Sequence, residues 1–483
     1  MASLEQIEKT HVIIVRGGIS GLTMALMLEQ LGISYLLLEA YSSLTKPAGA
    51  LIALNPNGLR ILDQLGVLPD INAVATPLLR HVVIDGESGK RIADLSFSGY
   101  MSERHGYETA FQARHEVVVA LERNIKSKES LRVGKRVVTV NQDEKGATVH
   151  CEDGSGYGAQ MVVGADGVHS VVRREVLKMA KEKDAKLEGT DIIRCEYGNV
   201  FAIANPSQHL QPGDGYSFQC NSCNGGVVCG RDGRNYLFYH FRRPGPYDVP
   251  VEKLPRMSAT EVEERWAEIL PRRVSESADF TYADLLSAGT TSKGGSVLPH
   301  FTLAKWYDGR IMAMGDAVHK FNPMTAQGGN NCIETVAAIA NHLHDTLARH
   351  NIPLLQPQWP QKAVEEIFAA VEQERMRRVA GLVQESQKLQ YTFSWDTWWY
   401  KIVAKYLLPR MNKSKIADAS SSSVVGAVTL KGDRWEVPHP RDHIVPWDDE
   451  ALGKGSTSIS RSLQAVAAII TITCAVVWGK RNQ

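Results

Sequence analysis

Two residue patterns near the N-terminus have the types and spacing to hold a phosphorylated cofactor. Arg16-Gly17-Gly18-Ile19-Ser20-Gly21 follows a β-branched stretch, His11 to Val15, and precedes apolar residues at helical spacing from Leu22 to Leu31. A strand that enters a helix through such a turn leaves free amides at the helix start, and these attract phosphate. The dinucleotide fingerprint G-x-G-x-x-G uses its first glycine for the turn, its second for backbone approach to pyrophosphate and its third for helix packing. Gly18 and Gly21 fill the second and third places, and Arg16 stands at the first. Glu39 ends the next apolar stretch, Ile33 to Leu38. A carboxylate there accepts hydrogen bonds from ribose hydroxyls. An ordinary helix entry and a solvated strand end explain each pattern alone, whereas the pair favours a dinucleotide.

Two more glycine-rich segments carry acids. Gly164-Ala165-Asp166-Gly167 follows the apolar Met161 to Val163 and leads to Ser170, a helix-capping type. Gly315-Asp316 ends an apolar run from Ile311, His319 follows, and Gln327-Gly328-Gly329 opens a helical pattern near Asn331. The start of that helix stabilises negative charge. Read singly, each segment is a capped loop.

In this order and at these separations, the three motifs resemble the FAD-dependent monooxygenases of the aromatic-hydroxylase type, typified by p-hydroxybenzoate hydroxylase. The resemblance runs from about His11 to about His350. Asn55-Pro56-Asn57-Gly58-Leu59-Arg60-Ile61-Leu62 and the C-terminal extension look like the fungal epoxidases of meroterpenoid and indole-diterpene pathways. The resemblance implies an α/β fold: a Rossmann-like FAD-binding domain, an antiparallel-sheet substrate domain and a helical C-terminal segment, to which the uncharged run near the C-terminus adds a C-terminal membrane helix. It implies Gly18 and Gly21 at the FAD pyrophosphate, Glu39 on the ribose and Ala53 in backbone contact. Arg114 then holds the flavin side chain, and Asp166 lies in a motif serving FAD and NADPH. Asp316 binds the ribityl chain, and Gly329 offers its amide near the ring. Arg16 departs from the family's first glycine, and Ala326 stands where a glycine often precedes Gln327-Gly328. The implied reaction takes electrons from NADPH and passes one atom of O₂ to a prenyl alkene, giving an epoxide. Within the family the alternative is phenol hydroxylation, for which Arg194 and Tyr216 are the candidate catalytic residues that orient substrate. From another class comes a flavin-free, membrane-tethered scaffold, supported by Arg16.

The elements around these residues follow from the whole chain. At 483 residues and 43% hydrophobic, it has material for a large core and about three structural units. The expected division is FAD-binding at 8–80, 106–185 and 296–345, with the substrate sheet at 81–105 and 186–295. A helical segment follows at 346–415, a Ser- and Pro-rich linker at 416–460 and an anchor at 461–481. Alternation of apolar and polar residues supports sheet at His81 to Phe97 and at Asn199 to Phe241. Lys plus Arg number 54 against 53 acids, so there is no basic footprint for nucleic acid. Seven scattered cysteines suit a reducing compartment. Cys220 and Cys223, with Cys229 beyond, lack the further ligands of a zinc site and read as strand residues.

Leu463 to Trp478 is uncharged over sixteen residues, about 24 Å as a helix against about 27 Å of endoplasmic reticulum hydrocarbon. Arg461, Lys480 and Arg481 flank it. Met1 to Thr10 lacks an apolar stretch, so no secretory signal is expected. The expectation is a single-pass anchor in membrane lipid, with the catalytic part in the cytosol. For Trp395, Trp398, Trp399 and Tyr400, an interfacial surface and packing on the flavin domain both remain open.

Overall fold

The computed structural model describes residues 7–451 except 46–48, 50, 97, 278 and 436–441. The β-branched start forms β1 (Glu8–Val15), whose last four residues are buried. Helix α1 (Ile19–Leu31) is apolar nearly all round and buried, and it stops at Gly32, whose φ of 70° is left-handed. β2 (Tyr35–Leu38) pairs parallel with β1, completing the expected strand–turn–helix–strand unit. β3 (Leu51–Leu54) is followed by α2 (Pro56–Gln64), with proline in its first turn, where the missing N–H costs no helix bond. β4 (Arg80–Asp85) departs to a second sheet, and β5 (Ala110–Ala113) returns to pair antiparallel with β3. Helix α3 (Arg114–Asn124), strand β6 (Gly156–Gly164) and helix α4 (Val171–Lys183) follow. β6 lies parallel to β1, and Ser170 caps α4 by accepting from the Arg173 amide at 2.8 Å.

The second sheet is built from β7 (Ile192–Ala204), β8 (Asp214–Cys220), β9 (Cys223–Cys229) and β10 (Asn235–Arg242). Helices α5 (Ala259–Ile269) and α6 (Tyr282–Ser287) precede its last long strand, β11 (Thr290–Thr302). The strand order is β11-β7-β10-β9-β8-β4, antiparallel except where β8 meets β4. Period-two alternation sends Tyr216, Phe218, Val200 and Leu237 to one face, where Trp266 of α5 and Tyr282 of α6 cover them as a second core. β12 (Ile311–Ala313) rejoins the first sheet beside β6.

Helices α7 (Gln327–Arg349) and α8 (Gln361–Phe393) pack together through a buried charge cluster. Arg375 Nη1 meets Glu334 Oε2 at 2.5 Å with both side chains fully buried, and Asn57 of α2 donates to the other carboxylate oxygen at 2.6 Å. Burial alone would raise the Glu334 pKa, but the Arg375 and Arg378 guanidiniums hold it at about 2.

One expectation is corrected. The stretch expected as a linker is packed over much of its length. It forms α9 (Lys413–Ser421), and Val424, Ala427, Val428, Leu430 and Trp435 are buried against the main core. Its serines gain tertiary partners, as where Ser421 Oγ meets His105 Nε2 at 2.5 Å. Cys220 and Cys223 are strand residues, as expected, the last of β8 and the first of β9, and they form a disulfide across the two-residue turn between them. The anchor expected at 461–481 lies outside the described residues, among which no helix is long and apolar enough to cross a membrane.

Candidate active site and cofactor cleft

Arg16 closes the turn after β1 with a φ of 83°, the left-handed region that glycine enters freely. Its guanidinium is held over the Tyr41 ring and donates to the Asp166 carbonyl at 3.3 Å. The neighbouring glycines are required by close approach. A Cβ on Gly21 would lie 2.0 Å from the Arg16 carbonyl oxygen, and one on Gly17 would lie 2.0 Å from Leu44 Cδ2. Gly18 is different: among the described residues only Arg114 Nη2, at 3.6 Å, approaches the position of its absent Cβ. Helix α1 has no side-chain cap, so its first amides are left for another acceptor. Glu39 is buried at the end of β2, and its two oxygens accept from the amides of Gly17 at 2.9 Å and Tyr41 at 3.0 Å.

Other elements converge on the same opening. Arg114 is exposed at the first position of α3, with its side chain between Gly18 and Gly49. Gly315 lies so close to α1 that a Cβ would meet Ser20 Oγ at 3.1 Å, which brings Asp316 to the helix start. Asp316 is paired with Lys320. At the start of α7, Ala326 takes the left-handed conformation with a φ of 54°. Gly328 faces open space, and Gly329 packs on Ile52 of β3. Asn330 ties β3 to α7 by accepting from the Asn55 amide at 2.9 Å and donating to the Ala53 carbonyl at 3.0 Å, so that carbonyl is already engaged. Asp166 is likewise engaged. Its carboxylate accepts from Ser170, from Val171 N at 2.7 Å and from Val172 N at 3.2 Å, at the start of α4. Burial pushes its pKa above the usual carboxylate range.

This cleft fits FAD. The open backbone at Gly18 and the uncapped amides of α1 suit a pyrophosphate, and Glu39, Arg114 and Asp316 are the side chains that would hold the rest of the group. The uncapped α7 start offers amides to an electron-rich ring. When bound, FAD supplies the redox and oxygen chemistry, while these residues bind and orient it.

Opposite the cleft, the second sheet presents cross-strand rows on the face away from α5 and α6. Ile203 and Tyr236 pack on Leu51 and Ala113 of the β3–β5 ribbon, which fixes that face toward the cofactor domain. The next row runs Gly294, Phe201, Phe238, Gly226 and Ser217. Both phenyl rings lie down over glycines: a Cβ on Gly226 would sit 2.8 Å from Phe238 Cζ, and one on Gly294 2.9 Å from Phe201 Cζ. Phe201, Phe238 and Ser217 remain half-buried. Then comes a polar row of Ser296, Asn199, His240, Asn224 and Gln219. Asn322, just before the α7 start, donates to Gln387 of α8 at 3.3 Å, and Gln387 donates to Glu196 of β7 at 3.2 Å. Oδ1 of Asn199, Oδ1 of Asn322, Oγ1 of Thr325 and Oε1 of Gln390 are buried without a partner among the described residues.

Arg194 and Tyr216 are not brought together. Strands β7 and β8 are separated by β10 and β9, which sets them about 14 Å apart at the usual strand spacing. Arg194 ion-pairs with Glu196 at 2.7 Å and Asp248 at 3.3 Å. Tyr216 points into the core under α5 and α6. His319 is buried, bonded to Thr335 Oγ1 at 3.1 Å. Sequence reading missed Phe201, Phe238, Asn199 and His240. The alternation in Tyr236 to Phe241 already put Tyr236, Phe238 and His240 on one face, but nothing local named their glycine neighbours.

Comparison with known proteins agrees with this geometry. A family model described as an FAD binding domain matches residues 9–356. The FAD-dependent monooxygenase ptmM of Penicillium ochrochloron is 30% identical over 422 residues, covering 87% of this chain and 97% of that protein. The FAD-dependent monooxygenase penM of Penicillium crustosum is 30% identical over 419 residues, covering 87% and 86%. Among solved structures, Klebsiella pneumoniae HpxO complexed with FAD and uric acid has a TM-score of 0.68 at 22% identity, covering 86% of this chain and 96% of that one. FqzB has a TM-score of 0.62 at 19% identity, covering 89% and 91%. These two likenesses establish the fold.

Proposed function

Because the chain belongs to the FAD-binding-domain family, as an FAD-dependent monooxygenase, we propose that it epoxidises a prenyl alkene in fungal secondary metabolism. The balanced reaction takes the alkene, O₂, NADPH and a proton to the epoxide, water and NADP⁺. The observation that carries this reading is the half-buried Phe201–Phe238 row, laid flat over Gly294 and Gly226 and facing the cofactor domain. An unsaturated hydrocarbon chain needs apolar contact and exclusion of water, and it has no ionisable group to be held by a charge. The separation of Arg194 from Tyr216 weighs against phenol hydroxylation through that pair, since one substrate ring does not span them.

The test uses the purified holoenzyme with NADPH, isotopically labelled O₂ and a farnesylated phenol as probe. The expected product carries one labelled oxygen as an epoxide in the prenyl chain. Label on the aromatic ring overturns the reading.

The same proposal places the enzyme at a membrane through Leu463 to Trp478, with the flavin domain in the cytosol. Apolar substrate then partitions into lipid beside it. Trp398, 73% exposed, and Tyr406, 52% exposed, support contact with a lipid interface. Truncation after Ser460 is expected to release a soluble chain that keeps its flavin. Release of the full-length chain by salt washing alone overturns the anchor.

A further inference from the structure

His240 occupies the polar row directly behind the two phenylalanines, and its ring lies 5.3 Å from that of Phe238. The arrangement of hydrogen bonds around Asn224 assigns the proton of this imidazole. Gln390 Nε2 and Asn224 Nδ2 both donate to Ser394 Oγ, at 2.7 Å and 2.8 Å. With its amide nitrogen committed to Ser394, Asn224 turns Oδ1 toward His240 Nδ1 at 3.0 Å. A carboxamide oxygen only accepts, so Nδ1 is the protonated nitrogen and Nε2 presents a bare lone pair. Burial keeps the imidazole neutral, with its pKa pushed down to about 3.

Among the described residues Nε2 has no partner, and it is not among the sealed, unpaired atoms, unlike Nδ1 of His300 and of His319. His240 as a whole is 4% exposed. His240 pairs across the sheet with Asn199, whose Oδ1 is also unpartnered. The polar row therefore offers acceptors and no charge. Farther along, the same row is closed over: Gln219 receives the Trp395 indole N–H at 3.2 Å. Beside the phenylalanine wall, Asn199 Oδ1 is sealed and His240 Nε2 is not.

We propose that His240 selects the substrate: Nε2 accepts a hydrogen bond from a hydroxyl or N–H on the ring system that bears the prenyl chain, while the chain lies along Phe201 and Phe238. This rests on the reading of the site as a prenyl-substrate pocket. It adds a second requirement, a donor at a fixed distance from the reacting alkene. A site with a committed buried acceptor rejects an analogue without the donor, because the acceptor is left dry and unpaired. His240 acts here as a positioning residue.

The test is a binding measurement on oxidised holoenzyme without NADPH, read by the change in flavin absorbance. The probes are a farnesylated phenol and the same molecule lacking its hydroxyl. Wild-type protein is expected to prefer the phenol by about tenfold or more, in line with a buried hydrogen bond. His240→Phe is expected to bind the two probes equally with flavin content unchanged. His240→Gln, whose side-chain oxygen accepts near the Nε2 position, is expected to recover part of the preference. Equal wild-type affinity for the two probes overturns the proposal and requires no variant to fold. Retained preference in flavin-replete His240→Phe overturns it as well. Failure of the epoxidation reading appears separately, in where the labelled oxygen is found.

Discussion

Arg16 holds a backbone conformation that disfavours every side chain, at a cost of about 1–2 kcal/mol for a non-glycine residue. Its contacts with the Asp166 carbonyl and the Tyr41 ring offset part of that cost. Arg16→Gly is expected to raise resistance to denaturant by about 1 kcal/mol and to leave flavin content equal or higher. Loss of flavin in that variant would instead identify the arginine as a phosphate ligand. Glu39 is tied to the same turn through Gly17 and Tyr41. Glu39→Ala removes a charge-assisted acceptor worth about 1.5–3 kcal/mol, so FAD affinity is expected to fall roughly tenfold to a hundredfold. Flavin retained after dialysis measures it, and an unchanged content refutes the ribose assignment. Glu39 was legible because strand, turn and acid lie within one βαβ unit. Asp166 was less so: spacing marks the motif, but only coordinates show the carboxylate engaged at a helix start.

Among the elements, the second sheet builds the proposed substrate side of the site. Gly226 of β9 and Gly294 of β11 let two phenyl rings lie against the sheet. Gly294→Val forces the Phe201 ring outward, because even the first added carbon meets Cζ at 2.9 Å. The expected result is weaker binding of a prenylated probe, by roughly tenfold, with flavin content unchanged. Unaltered affinity would remove the wall from the substrate site. The alternation in β10 announces a two-faced strand. It leaves undecided which face meets the cofactor, because that depends on α5 and α6 covering the other one. Tyr216 illustrates the consequence: its type suited a substrate site, and its register delivers it to a helix-covered core.

At the scale of the molecule, several histidines are buried and held neutral. Burial lowers His240 and His319 to about 3, and His81, His105 and His300 to about 4, from an ordinary 6.5. Each binds its proton more readily when unfolded, so stability is full above about pH 6.5 and falls as pH drops toward the folded values. Glu334 loses its contribution lower still, between about 4.5 and about 2. Denaturant midpoints measured from about pH 8 to about pH 4 are expected to be level at first and then to decline. A level profile down to pH 4 contradicts the buried, neutral state. The cofactor half of the site was set by local sequence: β1, the glycine turn, α1, β2 and Glu39 form a continuous unit whose periodicities and turn residues act over a few positions. Tertiary structure alone decided the proposed substrate half and the fate of the Ser-rich stretch. Phe201 meets Gly294 and Phe238 meets Gly226 only through strand pairing, and a serine is buried or solvated according to the partner that distant chain brings to it.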